Sequence, residues 1–84
     1  MYYVYILQSE KEAGRRYVGF SADLRSRVAD HNSGKNVSTR NGKPWSLLFY
    51  AAFERKMDAL AFEEYLKTAS GKAFARKRLH PGRR

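Results

Sequence analysis

Tyr2-Tyr3-Val4-Tyr5-Ile6-Leu7 is the stretch whose reading decides the fold. It is aromatic and β-branched, and it is apolar at both alternating sets of positions, the pattern of a strand covered on both faces. Such a strand belongs at the centre of a sheet. The polar run Gln8 to Arg15, with Gly14 near its end, is a hairpin connection, and Arg16-Tyr17-Val18-Gly19-Phe20 returns as a second strand. The hairpin makes the pair antiparallel.

Working outward, Ser21 is the expected N-cap of a helix over residues 22 to 32, with Asp23 complementing its dipole and Asn32-Ser33-Gly34 stopping it. Residues 35 to 43 are rich in Lys, Asn, Ser, Thr, Arg and Gly and are expected to form a mobile basic loop. Pro44-Trp45 then leads into a third strand, Ser46 to Phe53, and helical spacing of Ala59, Phe62 and Leu66 predicts a helix over 56 to 69. Ser70-Gly71 is the expected break before a short basic helix, Ala73 to Leu79, and Pro81-Gly82 closes the folded part. The order is β-β-α-β-α-α, an α+β domain. With 84 residues, two cores would receive about forty each, too few to fold unaided, so residues 1–80 are one domain and 81–84 a basic tail.

Composition removes several classes of function. There is no cysteine, which excludes disulfides, thiolate nucleophiles and Cys-ligated zinc and is consistent with a reducing compartment. Two histidines do not build an all-His zinc site. The longest apolar run, Leu47 to Phe53, is far shorter than the roughly 18 residues of a membrane span, and the Tyr-rich N-terminus lacks a basic region ahead of an apolar one. A cytoplasmic location is the expectation. Seventeen basic residues against eight acidic ones give a net charge of +9, a field that attracts polyanions, nucleic acid first among them. From Lys67 to Arg84 there are seven Lys or Arg and no acid.

Three polar side chains fall where apolar ones would be cheaper. Leu24 and Val28 set the inward direction of the first helix, and Arg27 and His31 complete that stripe; Glu63 does the same on the helix carrying Ala59, Phe62 and Leu66. Each needs a partner or a cleft. Two arrangements satisfy this: a buried Arg27–Glu63 ion pair with His31 beside it, or a phosphate site. Phosphodiester hydrolysis requires charge stabilisation at phosphate, activation of water and neutralisation of the departing oxygen. A lone carboxylate suits one Mg²⁺, with Mn²⁺ as a substitute, rather than a two-metal centre. Tyr3, Tyr5 and Leu7 share one strand face, with Tyr17 on the neighbouring strand. A phenol titrates near 10, so Tyr5 or Tyr17 acting as a base would need a depressed pKa or a metal-bound hydroxide as the final proton acceptor.

The ordered series Tyr3-Val4-Tyr5, eleven residues, Tyr17-Val18-Gly19, Ser21-Ala22-Asp23-Leu24, Arg27 and His31 resembles the GIY-YIG nuclease domain, in particular its small stand-alone, excinuclease-like members. The likeness continues through His31-Asn32-Ser33-Gly34, Thr39-Arg40, Lys43-Pro44-Trp45, Asp58-Ala59-Leu60 with Glu63, and Tyr65-Leu66-Lys67 with Gly71, covering about residues 2 to 79. The resemblance implies a three-stranded antiparallel sheet flanked by helices and magnesium-dependent cleavage of DNA by one metal. It also implies roles. Tyr5 would activate or position the attacking water and Tyr17 orient water or phosphate. Arg27 would bind phosphate, His31 assist proton transfer or hold Tyr5, Glu63 hold the cation, and Gly19 allow close backbone approach. Two positions depart from the pattern: Tyr3 stands where the family name has Gly, and Phe62 precedes Glu63 where a basic residue is expected.

The leading expectation is therefore a metal-dependent DNA endonuclease, structure-selective or weakly specific, serving repair or recombination on branched or nicked DNA. RNA is not excluded, and selectivity would come from DNA structure or a targeting protein. Lys35, Arg40, Lys43, Lys72, Arg76 and Lys77 are the expected nucleic-acid contacts. The rival is a non-catalytic nucleic-acid-binding module, which accounts for the charge but not for a carboxylate beside a phosphate site. A weaker third option, a basic protein of RNA or ribosomes, lacks the aromatic motif that would support it.

Overall fold

A computed structural model describes residues 1–82, so Arg83 and Arg84, counted above in the basic segment, lie outside the described residues. Three strands, β1 (Tyr2–Ser9), β2 (Arg16–Ser21) and β3 (Trp45–Phe53), form one sheet in the order β2-β1-β3. Both pairings are antiparallel, and β1 is central, as its two-sided apolar pattern requires. Tyr5 lies between Gly19 on β2 and Tyr50 on β3, and Leu7 faces Tyr17. The β1–β3 register shifts between Ile6 and Leu7, leaving Leu48 as an extra residue on β3.

Three helices flank the sheet: α1 (Leu24–Ser33), α2 (Lys56–Leu66) and α3 (Ala69–Phe74). Strand alternation divides the interior in two. Val4 and Ile6 pack with Ala59, Leu66 and Ala75 on the face covered by α2 and α3. Tyr5, Leu7 and Trp45 pack with Tyr17, Leu24 and Val28 on the face covered by α1. Among the described residues no helix is long and apolar enough to cross a membrane.

The helix ends differ from the sequence-based expectation. Asp23, not Ser21, caps α1: its carboxylate accepts from the Ser26 N–H at 3.1 Å, while the Ser21 hydroxyl accepts from the Asp23 N–H. The helix therefore starts at Leu24 rather than residue 22. Gly34 ends it at φ 85°, the left-handed conformation a glycine adopts without strain. The second helix stops at Leu66 instead of 69, because the Thr68 hydroxyl caps a new helix by accepting from the Gly71 N–H at 3.0 Å. Gly71, expected at the break, lies inside α3, where a Cβ would overlap the Tyr65 carbonyl oxygen and sit 2.8 Å from the Leu66 Cα. The chain then runs on in a wider π-helical turn over Ala75–Leu79, with the His80 N–H donating to the Ala75 carbonyl at 3.0 Å.

The segment expected as a mobile loop is folded. Arg40–Gly42 form a short 3-10 turn, Thr39 is buried, and the Lys43–Pro44 peptide is cis.

Candidate active site

Tyr5 is the hub of the α1 face. It is central in the sheet and 0 % exposed, and its ring lies across Gly19, where a Cβ would overlap the phenol carbon Cζ and the hydroxyl. Gly19 thus makes room for the ring to leave its own strand, which is why the Tyr-Val-Gly sequence ends in glycine. The Tyr5 hydroxyl meets His31 Nε2 at 2.9 Å, and His31, also 0 % exposed, meets the Thr39 hydroxyl through Nδ1 at 2.7 Å. The Tyr17 ring completes the group, with its centroid 4.7 Å from that of His31 and 6.3 Å from that of Tyr5.

Electrostatics assign the protons. Burial pushes the Tyr5 phenol up to about 12, the neighbouring Tyr17 adding to the shift; Arg27 opposes it and Glu63 adds a smaller increment. The depressed phenol that a simple base requires is not present, because desolvation outweighs the Arg27 charge. His31 moves below its ordinary value, through burial and then the Arg27 charge, with Asp30 opposing. Both groups are therefore neutral at pH 7. The Thr39 hydroxyl donates to the Asn36 carbonyl at 3.5 Å, which leaves it to accept from His31 Nδ1–H. Nε2 is then the bare nitrogen and accepts from the Tyr5 hydroxyl.

Asn32 and Trp45, outside the candidate set read from the sequence, hold this line in place. The Asn32 side chain, next to His31, donates to the Trp45 carbonyl at 3.0 Å and accepts from the Trp45 N–H, tying the end of α1 to the start of β3. Trp45 in turn donates from Nε1 to the Thr39 carbonyl at 2.9 Å. Their signal was a buried-type aromatic directly after Pro44 and a polar pair at the helix end. Neither names its partner.

Arg27 is exposed on α1 one turn before His31. Glu63 on α2 is largely buried, its side chain 18 % exposed, and pairs with Lys67 Nζ at 3.0 Å. The carboxylate partner is thus one turn along its own helix, and the buried Arg27–Glu63 pair considered from sequence does not form. Direct contacts join Tyr5, Tyr17 and His31, while Arg27 and, more weakly, Glu63 act on Tyr5 through their charge. The family model for the GIY-YIG catalytic domain matches residues 1–78.

The chain belongs to the GIY-YIG family.

It is 38% identical over 66 residues to a UPF0213 protein of Streptococcus pyogenes strain Manfredo, covering 77% of this chain and 70% of that protein. A UPF0213 protein of Lacticaseibacillus paracasei is 42% identical over 67 residues, covering 79% and 73%. This is a nuclease-type domain.

In this GIY-YIG domain the described residues contain no group of three or more His, Cys, Asp or Glu able to hold a metal. A single carboxylate, Glu63, would suit a hard divalent cation that keeps most of its waters, and does not fit a closed protein site. The six basic candidates divide between two places. Lys35, Arg40 and Lys43 are exposed on the segment carrying Thr39; Lys35 pairs with Asp30 at 3.7 Å, and Arg40 Nε donates to the Gly34 carbonyl at 2.9 Å. Lys72, Arg76 and Lys77 lie on α3 and the turn after it, and Lys72 and Arg76 line a cavity with Ile6 and Val18, on the sheet face opposite Tyr5.

Proposed function

We propose that this chain is a metal-dependent endonuclease that hydrolyses phosphodiester bonds of DNA, structure-selective or weakly specific, and acts in repair or recombination. The observation that carries this reading is the buried Tyr5–His31 hydrogen bond with the Tyr17 ring against it, one helical turn from Arg27, within a GIY-YIG domain.

The protons follow from the neutral pair. The Tyr5 oxygen receives a proton from the attacking water as its own passes to His31 Nε2, so that no phenolate forms and the product is an imidazolium held by Thr39 through Nδ1. This route suits a phenol whose pKa is about 12. Arg27, exposed on α1, reaches the phosphate. There the guanidinium binds non-bridging oxygens, and its two parallel N–H donors match the charge that grows in the transition state. Tyr17 orients the water or phosphate. Glu63 would hold a Mg²⁺ ion, or Mn²⁺ in its place, which would supply charge neutralisation at the departing oxygen. Lys35, Arg40 and Lys43 contact the backbone beside the cluster, giving binding that falls steeply with salt and varies little with sequence.

The test is to incubate supercoiled plasmid and branched, nicked and single-stranded DNA with the protein in Mg²⁺, Mn²⁺ or EDTA, with Glu63→Ala and Arg27→Ala alongside. We expect metal-dependent nicking, reduced about 10²- to 10³-fold in each variant. Full activity in Glu63→Ala overturns the one-metal assignment. The Lys67 partner of Glu63 favours a second reading, a binding module in which that carboxylate serves the helix alone. Retained DNA binding with no cleavage of any substrate would establish it.

A further inference from the structure

On the sheet face away from Tyr5 a cavity of about 220 Å³ opens between β1, β2, α2 and α3. Its floor is apolar, with Ile6 and Val18, and its walls are basic, with Arg16, Lys72, Arg76 and His80. Among the described residues no carboxylate lines it. None of Arg16, Lys72 or Arg76 takes part in an ion pair among the described residues.

Arg16 is the decisive residue. It opens β2 opposite Gln8, and its Nε and Nη2 are both sealed from solvent without a hydrogen-bond partner. These two nitrogens form one edge of the guanidinium, with parallel N–H donors. A guanidinium does not shed its proton, and buried charged donors left unpaired are costly. An acidic partner from the protein would be the ordinary remedy, yet the neighbouring charges are positive. The edge matches two oxygens of a phosphate in bidentate fashion, and Lys72 and Arg76 add charge from the opposite wall. The cavity is smaller than the roughly 300–1,000 Å³ of sites that enclose drug-sized ligands, so it suits one phosphoryl group with its waters and not a whole nucleotide.

We propose that this cavity is a second anion site that binds a phosphate group through Arg16, Lys72 and Arg76, separate from the Tyr5 cluster. The Arg16 side chain turns its unpaired edge onto the oxyanion as the group enters. The inference does not rest on cleavage activity, since its readout is binding.

The experiment titrates inorganic phosphate into the ¹⁵N-labelled full chain, with ionic strength held constant by chloride, and follows the Arg16 Nε–H signal and the Lys72 and Arg76 amides by NMR. We expect saturable shifts at all three, those of the Lys72 and Arg76 amides vanishing in Arg16→Gln. Lys72→Gln, at an exposed position that leaves the fold intact, should weaken binding by about three- to tenfold. An unmoved Arg16 signal, shifts that never saturate, or equal affinity in Lys72→Gln would overturn the site. Two further arms identify the source of the phosphate. If a 5′-phosphorylated oligonucleotide binds about tenfold more tightly than its 5′-hydroxyl counterpart and loses that advantage in Arg16→Gln, the site holds a strand end. If the two oligonucleotides bind alike while inorganic phosphate saturates the site, it holds free phosphate or a small phosphomonoester.

Discussion

The two faces of the sheet are built from different chemistry. On the α2/α3 side the contact is apolar: Val4, Ile6, Ala59, Leu66 and Ala75 are buried, and Phe49, Phe53 and Phe62 pack against them. On the α1 side the fully buried groups are Tyr5, Leu7, His31 and Thr39, and three of these four are polar groups joined in one hydrogen-bonded line. The same central strand supplies both, since alternate residues of β1 point to opposite faces. An apolar layer is forgiving of partner choice, because dispersion and burial have no direction. A polar line is held only if every donor finds its acceptor. The first face stabilises the domain, and that stability lets the second keep a neutral phenol and imidazole out of water.

The sharpest way to break this division is Leu66→Ala. The cavity it leaves should cost about 2–5 kcal/mol in denaturant unfolding, a large share of a small domain's stability, while leaving activity per folded molecule unchanged. Gly19→Ala acts on the other face. Its methyl would overlap the Tyr5 ring, and we expect a loss of about 1–3 kcal/mol together with loss of nicking, because the ring must move off His31. An unchanged cleavage rate in that variant would show that the Tyr5–His31 contact is dispensable.

Tyr5→Phe separates bonding from packing. It keeps the ring but leaves His31 Nε2 without its donor, at about 1–3 kcal/mol. The His31 pKa is lowered on folding, so below the ordinary histidine value of about 6.5 the unfolded chain binds the extra proton first. Stability should therefore fall as pH drops from about 6.5 towards the folded pKa, and a His31→Gln variant should lose that dependence in urea melts at pH 5 and 7. The smallest change expected is Lys67→Ala. It removes a partly exposed i,i+4 pair with Glu63, worth less than about 1 kcal/mol, and a thermal melt should scarcely shift.

The sequence states much of this in local terms. The central position of β1 follows from Tyr2–Leu7, the antiparallel hairpin from Gln8–Arg15, and the end of α1 from Gly34, because each depends on neighbours along the chain. Arg27, His31 and Glu63 stand out by helical spacing as polar residues on apolar stripes. Spacing does not say which is sealed: His31 is fully buried and Arg27 exposed, a difference set by how α1 lies over Tyr5 and Tyr17. The capping of α1 by Asp23 and the early end of α2 at Leu66 turn on which of several competent side chains reaches an N–H. A propensity common to Ser21 and Asp23, or to Thr68 and Ser70, does not rank them.

What the sequence determined by itself is the order of elements, the centre of the sheet, the positive charge and the set of residues able to serve phosphate chemistry. Only the tertiary structure joined Tyr5 to His31 across 26 positions and His31 to Thr39 across 8. It alone placed Lys72 and Arg76 on the face away from Tyr5. The reason is range. Periodicity and capping act over a few bonds of one chain, whereas a hydrogen bond forms only when two distant atoms come within about 3 Å at the right angle, and that distance is set by packing.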